Sequence, residues 1–177
     1  NQLLKRLFDL MFALLFMITV GWWLFLLLAL IIKLDSRGPV FFRQQRAGRN
    51  NTTFTCWKFR TMRVNDEADS LQATRNDPRI TRIGAFLRKT SLDELPQFLN
   101  VLQGTMSVVG PRPHPLQLNQ TFARRIGKFM ARHSVKPGIT GLAQVKGYRG
   151  ETRELHDMRG RFRLDVFYIE NWSFPLL

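Results

Sequence analysis

Cysteine is almost missing from this 177-residue sequence, which has Cys56 alone. One thiol excludes an internal disulfide framework and agrees with a reducing compartment. Histidine is scarce as well: His114, His133 and His156 lie far apart with no cysteine at ligand spacing, so there is no zinc signature. Acidic residues number 13 against 27 Lys and Arg, and such an excess favours anionic partners: phosphorylated substrates, acidic lipid head groups or nucleic acid. Repeats and low-complexity tracts are absent too. The length fits one compact domain plus an attached hydrophobic element.

Charge is wholly missing between Leu10 and Ile32. As a straight helix this run would extend about 35 Å, enough for a hydrocarbon layer of roughly 30 Å. A signal peptide is the competing reading, but the apolar part exceeds a typical h-region and no small-residue cleavage pattern follows. A buried core helix would show a polar stripe. Lys5 and Arg6 precede the run, and Lys33, Arg37 and Arg43 follow it, so the positive-inside rule favours keeping both ends in the cytoplasm. Gly21 marks the midpoint. The sequence therefore divides into a hydrophobic helix over 1–34, bent near Gly21 or spanning, and a polar domain over 35–177.

In the polar part, Val40 to Gln44 and Thr52 to Phe59 flank Gly48-Arg49-Asn50-Asn51 and read as a short hairpin. Arg63 to Pro78 reads as a charged loop with one helical turn. Helices are expected over Thr81 to Lys89, Leu92 to Leu102, Phe122 to His133 and Arg153 to Tyr168, on apolar residues at helical spacing. The fold class is mainly α with a small β-hairpin.

Chemistry is most plausible at Ser91-Leu92-Asp93-Glu94-Leu95-Pro96. Ser91 with Glu94 forms a capping-box pattern, and acids in a first turn complement the helix dipole, so a structural reading accounts for both carboxylates. Basic neighbours Arg88 and Lys89 support another reading. A carboxylate held among cations stays ionised and suits a metal ligand or a nucleophile. Pro96 lacks the amide hydrogen a regular first turn would use, so the turn should be irregular. Arg112 stands between Pro111 and Pro113, and a guanidinium presented from so stiff a turn matches phosphate oxygens, although a solvated turn arginine is equally consistent. Lys58 and Arg60 should project to one side of the second strand, as phosphate contacts or simply as an exposed face. Lys136-Pro137-Gly138-Ile139-Thr140-Gly141 is a loop able to approach a diphosphate through its backbone.

Six segments in one order carry a resemblance: Lys5-Arg6-Leu7-Phe8-Asp9, Gly38-Pro39-Val40-Phe41-Phe42, Lys58-Phe59-Arg60-Thr61-Met62, Ser91-Leu92-Asp93-Glu94-Leu95-Pro96-Gln97, Gly110-Pro111-Arg112-Pro113 and Lys136 to Gly141. Along nearly its whole length the chain resembles the bacterial sugar transferases, the monotopic phosphoglycosyl transferases. Gly147-Tyr148-Arg149-Gly150-Glu151-Thr152 and Tyr168-Ile169-Glu170-Asn171-Trp172-Ser173 look most like the undecaprenyl-phosphate glucose phosphotransferases of exopolysaccharide assembly. Those proteins carry more chain on both sides, so the resemblance implies a catalytic portion.

The resemblance implies transfer of a sugar 1-phosphate from a UDP-sugar to undecaprenyl phosphate, with release of UMP. Asp93 becomes the nucleophile, forming a phosphosugar-aspartyl intermediate, with Glu94 beside it. Mg²⁺ is expected at Asp93 and Glu94, and Lys58, Arg60, Arg88, Arg112 and Arg149 are candidates for phosphate or substrate binding, Arg149 for the sugar. It also implies a re-entrant helix in the bacterial inner membrane, a compact α/β catalytic domain on the cytoplasmic face with interfacial amphipathic helices, and membrane lipids as partners. Nucleic acid is not expected and a homo-oligomer is left open. The family breaks its helix at Ser-Pro, whereas this chain has Gly21-Trp22, so a straight span stays open beside a re-entrant one. The alternative function is a membrane-tethered nucleic-acid-binding module, since Thr81 to Leu102 imitates a helix-turn-helix.

Overall fold

The computed structural model describes residues 2–65, 74, 77–148 and 155–173. The chain opens with α1 (Gln2–Phe16) and α2 (Trp22–Asp35), joined by a π-helical turn over Met17–Gly21. At the position where the sequence marks a bend, the helix changes its hydrogen-bond register. The Trp22 amide reaches back to the Met17 carbonyl, and Phe16, Gly21 and Trp22 all keep right-handed helical angles. Thr19 Oγ1 donates to the Leu15 carbonyl at 2.7 Å, and Trp23 Nε1 donates to the Thr19 carbonyl at 3.1 Å.

One stripe of this helix is left largely exposed by the described residues. Leu3, Leu7, Met11, Leu15, Ile18, Trp22, Leu26, Leu30 and Leu34 recur every three or four residues, and each is more than half exposed. So continuous an apolar strip suits lipid rather than water. The opposite stripe packs on the polar domain at both ends. Ala13, Phe8, Phe16 and Met17 join Phe54, Cys56, Phe98, Val101, Met106 and Val108, while Leu24, Phe25, Leu28 and Ile32 join Phe59, Leu87, Leu92 and Leu95. Phe16 stacks on Phe98 at 4.2 Å, and Phe25 meets Phe59 edge-on at 5.2 Å.

Strands β1 (Phe41–Ala47) and β2 (Thr53–Phe59) form the expected antiparallel hairpin, with β1 running to Ala47 rather than Gln44. Their link is a 3-10 turn at Arg49–Asn51, with Asn50 and Asn51 at positive φ. Thr81 caps α3 (Arg82–Thr90) by accepting from the Gly84 amide at 2.9 Å. The helix expected over Leu92 to Leu102 is two pieces, a 3-10 turn at Leu92–Glu94 and α4 (Gln97–Gln103), divided at Pro96.

Phe122 to His133 does not form the single helix its pattern predicts. Helix α5 covers Leu116–Ala123, Lys128 turns at φ 60°, and a 3-10 segment follows at Phe129–Ser134. That break drives Phe122, Ile126 and Phe129 into one cluster with Met158 of α7 (Leu155–Glu170). A second sheet had no signal in the sequence: β3 (Ser107–Val109) pairs in parallel with β4 (Gly138–Thr140), which precedes α6 (Leu142–Val145). Strands of three residues are too short to show alternation. Glycine is required at Gly138, because a side chain there would overlap the Gly110 backbone.

Candidate active site

Helix α3 ends at Ser91, which takes left-handed angles (φ 65°, ψ 13°) and turns the chain into the 3-10 segment. The expected capping box is absent: the Ser91 side chain makes no cap hydrogen bond, and the Glu94 amide bonds the Ser91 carbonyl instead at 3.1 Å. Leu92 and Leu95 turn inward onto the cluster beneath α2. Between them Asp93 and Glu94 are left 8 % and 7 % exposed, at the meeting point of α3, β2 and the Gly110–Pro113 turn.

Glu94 is held by two cations. Lys58 Nζ lies 2.8 Å from Oε1, and Arg112 grips both oxygens, Nη2 to Oε1 at 2.6 Å and Nη1 to Oε2 at 3.0 Å. Burial opposes this charge, yet the Lys58 ammonium and the Arg112 guanidinium outweigh it and hold the carboxyl well below the usual range. Burial lowers Lys58, whereas in Arg112 the attraction of Glu94 overcomes burial and raises it.

Asp93 is treated differently by its surroundings. Among the described residues no hydrogen bond or ion pair holds its carboxylate, and only the more distant charges of Lys58, Arg88 and Arg112 attract it. Burial, with Glu94 alongside, wins and pushes its carboxyl up. The cations gather on Glu94 and leave Asp93 a poorly stabilised anion, which is a better nucleophile than a fully paired one.

The other candidates divide. Arg88 sits in the last turn of α3, within the field of Asp93, its Nε donating to Thr61 Oγ1 at 2.8 Å. Arg60 is directed elsewhere: Nε bonds the Pro39 carbonyl at 2.5 Å and Nη2 the Ser36 carbonyl at 2.8 Å, tying the end of α2 to the hairpin. Arg149 lies outside the described residues. In the Lys136 to Gly141 segment the Gly138 amide donates to the Pro111 carbonyl at 2.9 Å, and the Thr140 carbonyl accepts from the Gly110 amide at 2.9 Å, so the segment braces the turn that carries Arg112.

Residues 1–176 match the family model described as "Bacterial sugar transferase". The chain belongs to the bacterial sugar transferase family. It is 51 % identical to the UDP-glucose:undecaprenyl-phosphate glucose-1-phosphate transferase of Escherichia coli K12, over 98 % of this chain and 37 % of the relative. The protein of the same name in Xanthomonas campestris pv. campestris is 55 % identical over 86 % of this chain and 32 % of the relative. The exopolysaccharide production protein PSS of Rhizobium leguminosarum bv. phaseoli is 46 % identical over 98 % of this chain and 88 % of its own length. This family member thus spans about a third of the length of the first two relatives.

Sequence reasoning missed the support behind Arg112. Arg132 Nη2 donates to the Arg112 carbonyl and to Asp165 Oδ2, both at 2.7 Å, and Nη1 contacts the ring of buried His114. Burial, then Arg132 and Arg161, hold His114 well below its ordinary pKa, so the ring is neutral. The available signal was the placing of Arg161 and Asp165 on the face of α7 that carries Met158 and Tyr168, all of them buried. The helix-turn-helix reading finds no support, since the would-be groove-facing turn buries Asp93 and Glu94.

Among the described residues no group of three or more His, Cys, Asp or Glu converges. A magnesium ion does not need one, because it commonly uses one or two carboxylates and completes its shell with water and substrate phosphate. Among the described residues neither Asp93 oxygen accepts a hydrogen bond and Glu94 Oε2 accepts one, so neighbouring hard oxygens with lone pairs to spare fit such an ion.

Proposed function

We propose that this chain transfers a hexose 1-phosphate, glucose 1-phosphate on the names of its relatives, from a UDP-sugar to undecaprenyl phosphate with release of UMP. The observation that carries the reading is the division of labour between adjacent carboxylates. Glu94 is neutralised by Lys58 and Arg112, while Asp93 is buried beside the same cations with no hydrogen bond of its own among the described residues.

In the first half-reaction an Asp93 oxygen attacks the β-phosphorus of the UDP-sugar. A bond forms between carboxylate and phosphorus, the bond from that phosphorus to the bridging oxygen breaks, and UMP leaves with the electron pair. An anion attacking an anion is opposed by repulsion, so preorganised positive charge supplies most of the acceleration. Arg112, Lys58 and Arg88 supply it from three elements. Mg²⁺ held by Asp93 and Glu94, when bound, would neutralise diphosphate charge. In the second half-reaction a phosphate oxygen of undecaprenyl phosphate attacks the same phosphorus and Asp93 is released, so one site serves two anionic substrates in turn.

The helix is read as entering and leaving the bacterial inner membrane on the cytoplasmic face. Support comes from both arms packing on one polar domain and from the basic flanks.

Purified protein is incubated with UDP-glucose and Mg²⁺ without lipid acceptor and examined by intact mass. A gain of one hexose phosphate, absent from Asp93→Asn, is expected. No adduct in a preparation that releases UMP once acceptor is added would remove Asp93 from the nucleophile's role.

A further inference from the structure

We infer that Asp9, at the foot of the apolar helix, is a positioning residue for Arg112, an inference that rests on the phosphate-binding role proposed for that arginine. Asp9 is 2 % exposed, and three donors converge on its Oδ1: Lys5 Nζ at 2.8 Å, Ser107 Oγ at 3.0 Å and the Val108 amide at 3.0 Å. Ser107 and Val108 are the first two residues of β3, and β3 runs directly into Gly110-Pro111-Arg112-Pro113. With Pro111 and Pro113 fixing φ on both sides of Arg112, a displacement of β3 passes to the guanidinium instead of being absorbed. Tyr168 Oη holds the same strand from α7, donating to the Val109 carbonyl at 3.0 Å.

The second arm of the helix acts on the other half of the ion pair. Leu28 and Ile32 pack on the cluster containing Leu92 and Leu95, the two leucines that flank Asp93 and Glu94. One helix thus fixes Glu94 through apolar contact and Arg112 through a carboxylate. Docking alone does not call for Asp9. Ala13, Phe16 and Met17 already seat α1, and Arg6 clamps the end of α4 through the Val101 and Leu102 carbonyls at 2.6 and 3.0 Å. A desolvated carboxylate is an expensive way to add adhesion, whereas two directed hydrogen bonds, from the Ser107 hydroxyl and the Val108 amide, fix a strand in place.

Full chain in bilayer nanodiscs is compared as wild type, Asp9→Ala, Asp9→Asn, Asp9→Glu and Arg6→Gln, with kcat and donor KM, covalent loading, thermal midpoint and membrane retention measured on each. Asn keeps the acceptor where it is and loses the charge; Glu keeps the charge and moves the acceptor by a methylene. Asp9→Ala and Asp9→Glu are expected to lower kcat and loading tenfold or more with donor KM within threefold. Asp9→Asn should stay within threefold of wild type. Arg6→Gln, which loosens the same arm without touching β3, should also stay within threefold even where its thermal midpoint falls as far. Overturning results are Asp9→Glu matching wild type while Asp9→Asn fails, or Arg6→Gln losing as much kcat as Asp9→Glu at equal thermal midpoint. Asn and Glu decide the question if Asp9→Ala does not accumulate. Wild-type protein that never loads sugar phosphate overturns the proposed function instead, a result distinct from either.

Discussion

Arg112 and Glu94 meet through two parallel hydrogen bonds, 2.6 and 3.0 Å, in a buried site that Lys58 shares. The fork uses two of the guanidinium's five donors, and among the described residues no hydrogen bond takes the other three. Lysine at position 112 would keep the charge and lose the fork. Arg112→Lys is expected to lower UMP release by roughly 100–1,000-fold, in line with loss of one preorganised donor. Release within threefold of wild type would mean that charge alone suffices.

Removing the other partner tests stability. Glu94→Gln takes from Lys58 and Arg112 the carboxylate they hydrogen-bond and leaves the more distant Asp93 as their counter-charge, which costs about 3 kcal/mol for a broken buried pair. In a chain of this size the thermal midpoint should fall by roughly 6–12 °C. The loss should itself depend on pH. The Glu94 carboxyl is depressed in the folded protein, so its contribution is present above the unfolded value and disappears as pH falls through the folded one. Wild type and variant should converge in strong acid; a constant gap would assign the effect to packing.

The legible parts of this molecule are those with local signals. The hairpin, the α3 helix, the irregular turn at Pro96 and the apolar run are each written in a few adjacent residues. The pairing that matters at the site is not. Nothing local distinguishes Lys58, whose ammonium reaches Glu94, from Arg60, whose guanidinium turns back to Ser36 and Pro39. That choice is made by where α2 ends against the hairpin. Likewise Ser91-x-x-Glu94 is a sound capping pattern that tertiary charges override, because Glu94 gains two buried cations by leaving it. Residues 107–109 and 138–140 pair only because the whole fold brings them together, so the brace behind Arg112 could not be read in advance.

Asp93 gives a pH prediction of the opposite sign. Its carboxyl is raised by burial, so its ionised form is destabilised by folding: its stabilising contribution is full below the unfolded pKa and lost as pH rises through the folded one. Asp93→Asn, which removes the charge and keeps the shape, should therefore melt at a higher temperature than wild type at pH 7, and the advantage should vanish in acid. Titrated without Mg²⁺, whose charge would favour the anion, the Asp93 carboxyl should lie above its ordinary range. A titration at or below that range, or an Asn variant less stable at pH 7, would contradict the site's electrostatics.

The helix from Gln2 to Asp35 is about 51 Å long at the standard rise, more than a straight crossing needs. Length alone is compatible with a span. The contacts support the one-sided entry proposed above, because Phe16 stacks on Phe98 and Phe25 meets Phe59 within one polar domain. Cys56 is fully buried, so single cysteines can be read without background. Leu3→Cys and Leu34→Cys, at strongly exposed positions flanking the apolar run, should both react with a membrane-impermeant maleimide in inverted vesicles and not in intact spheroplasts. Ile18→Cys, equally exposed in the isolated chain, should react in neither, because lipid covers it. Labelling of Leu3→Cys and Leu34→Cys from opposite faces would establish a straight span and detach one arm from the domain. Asp9 and Leu28 could not then both brace the Glu94–Arg112 pair, and the site would have to be held together without the helix.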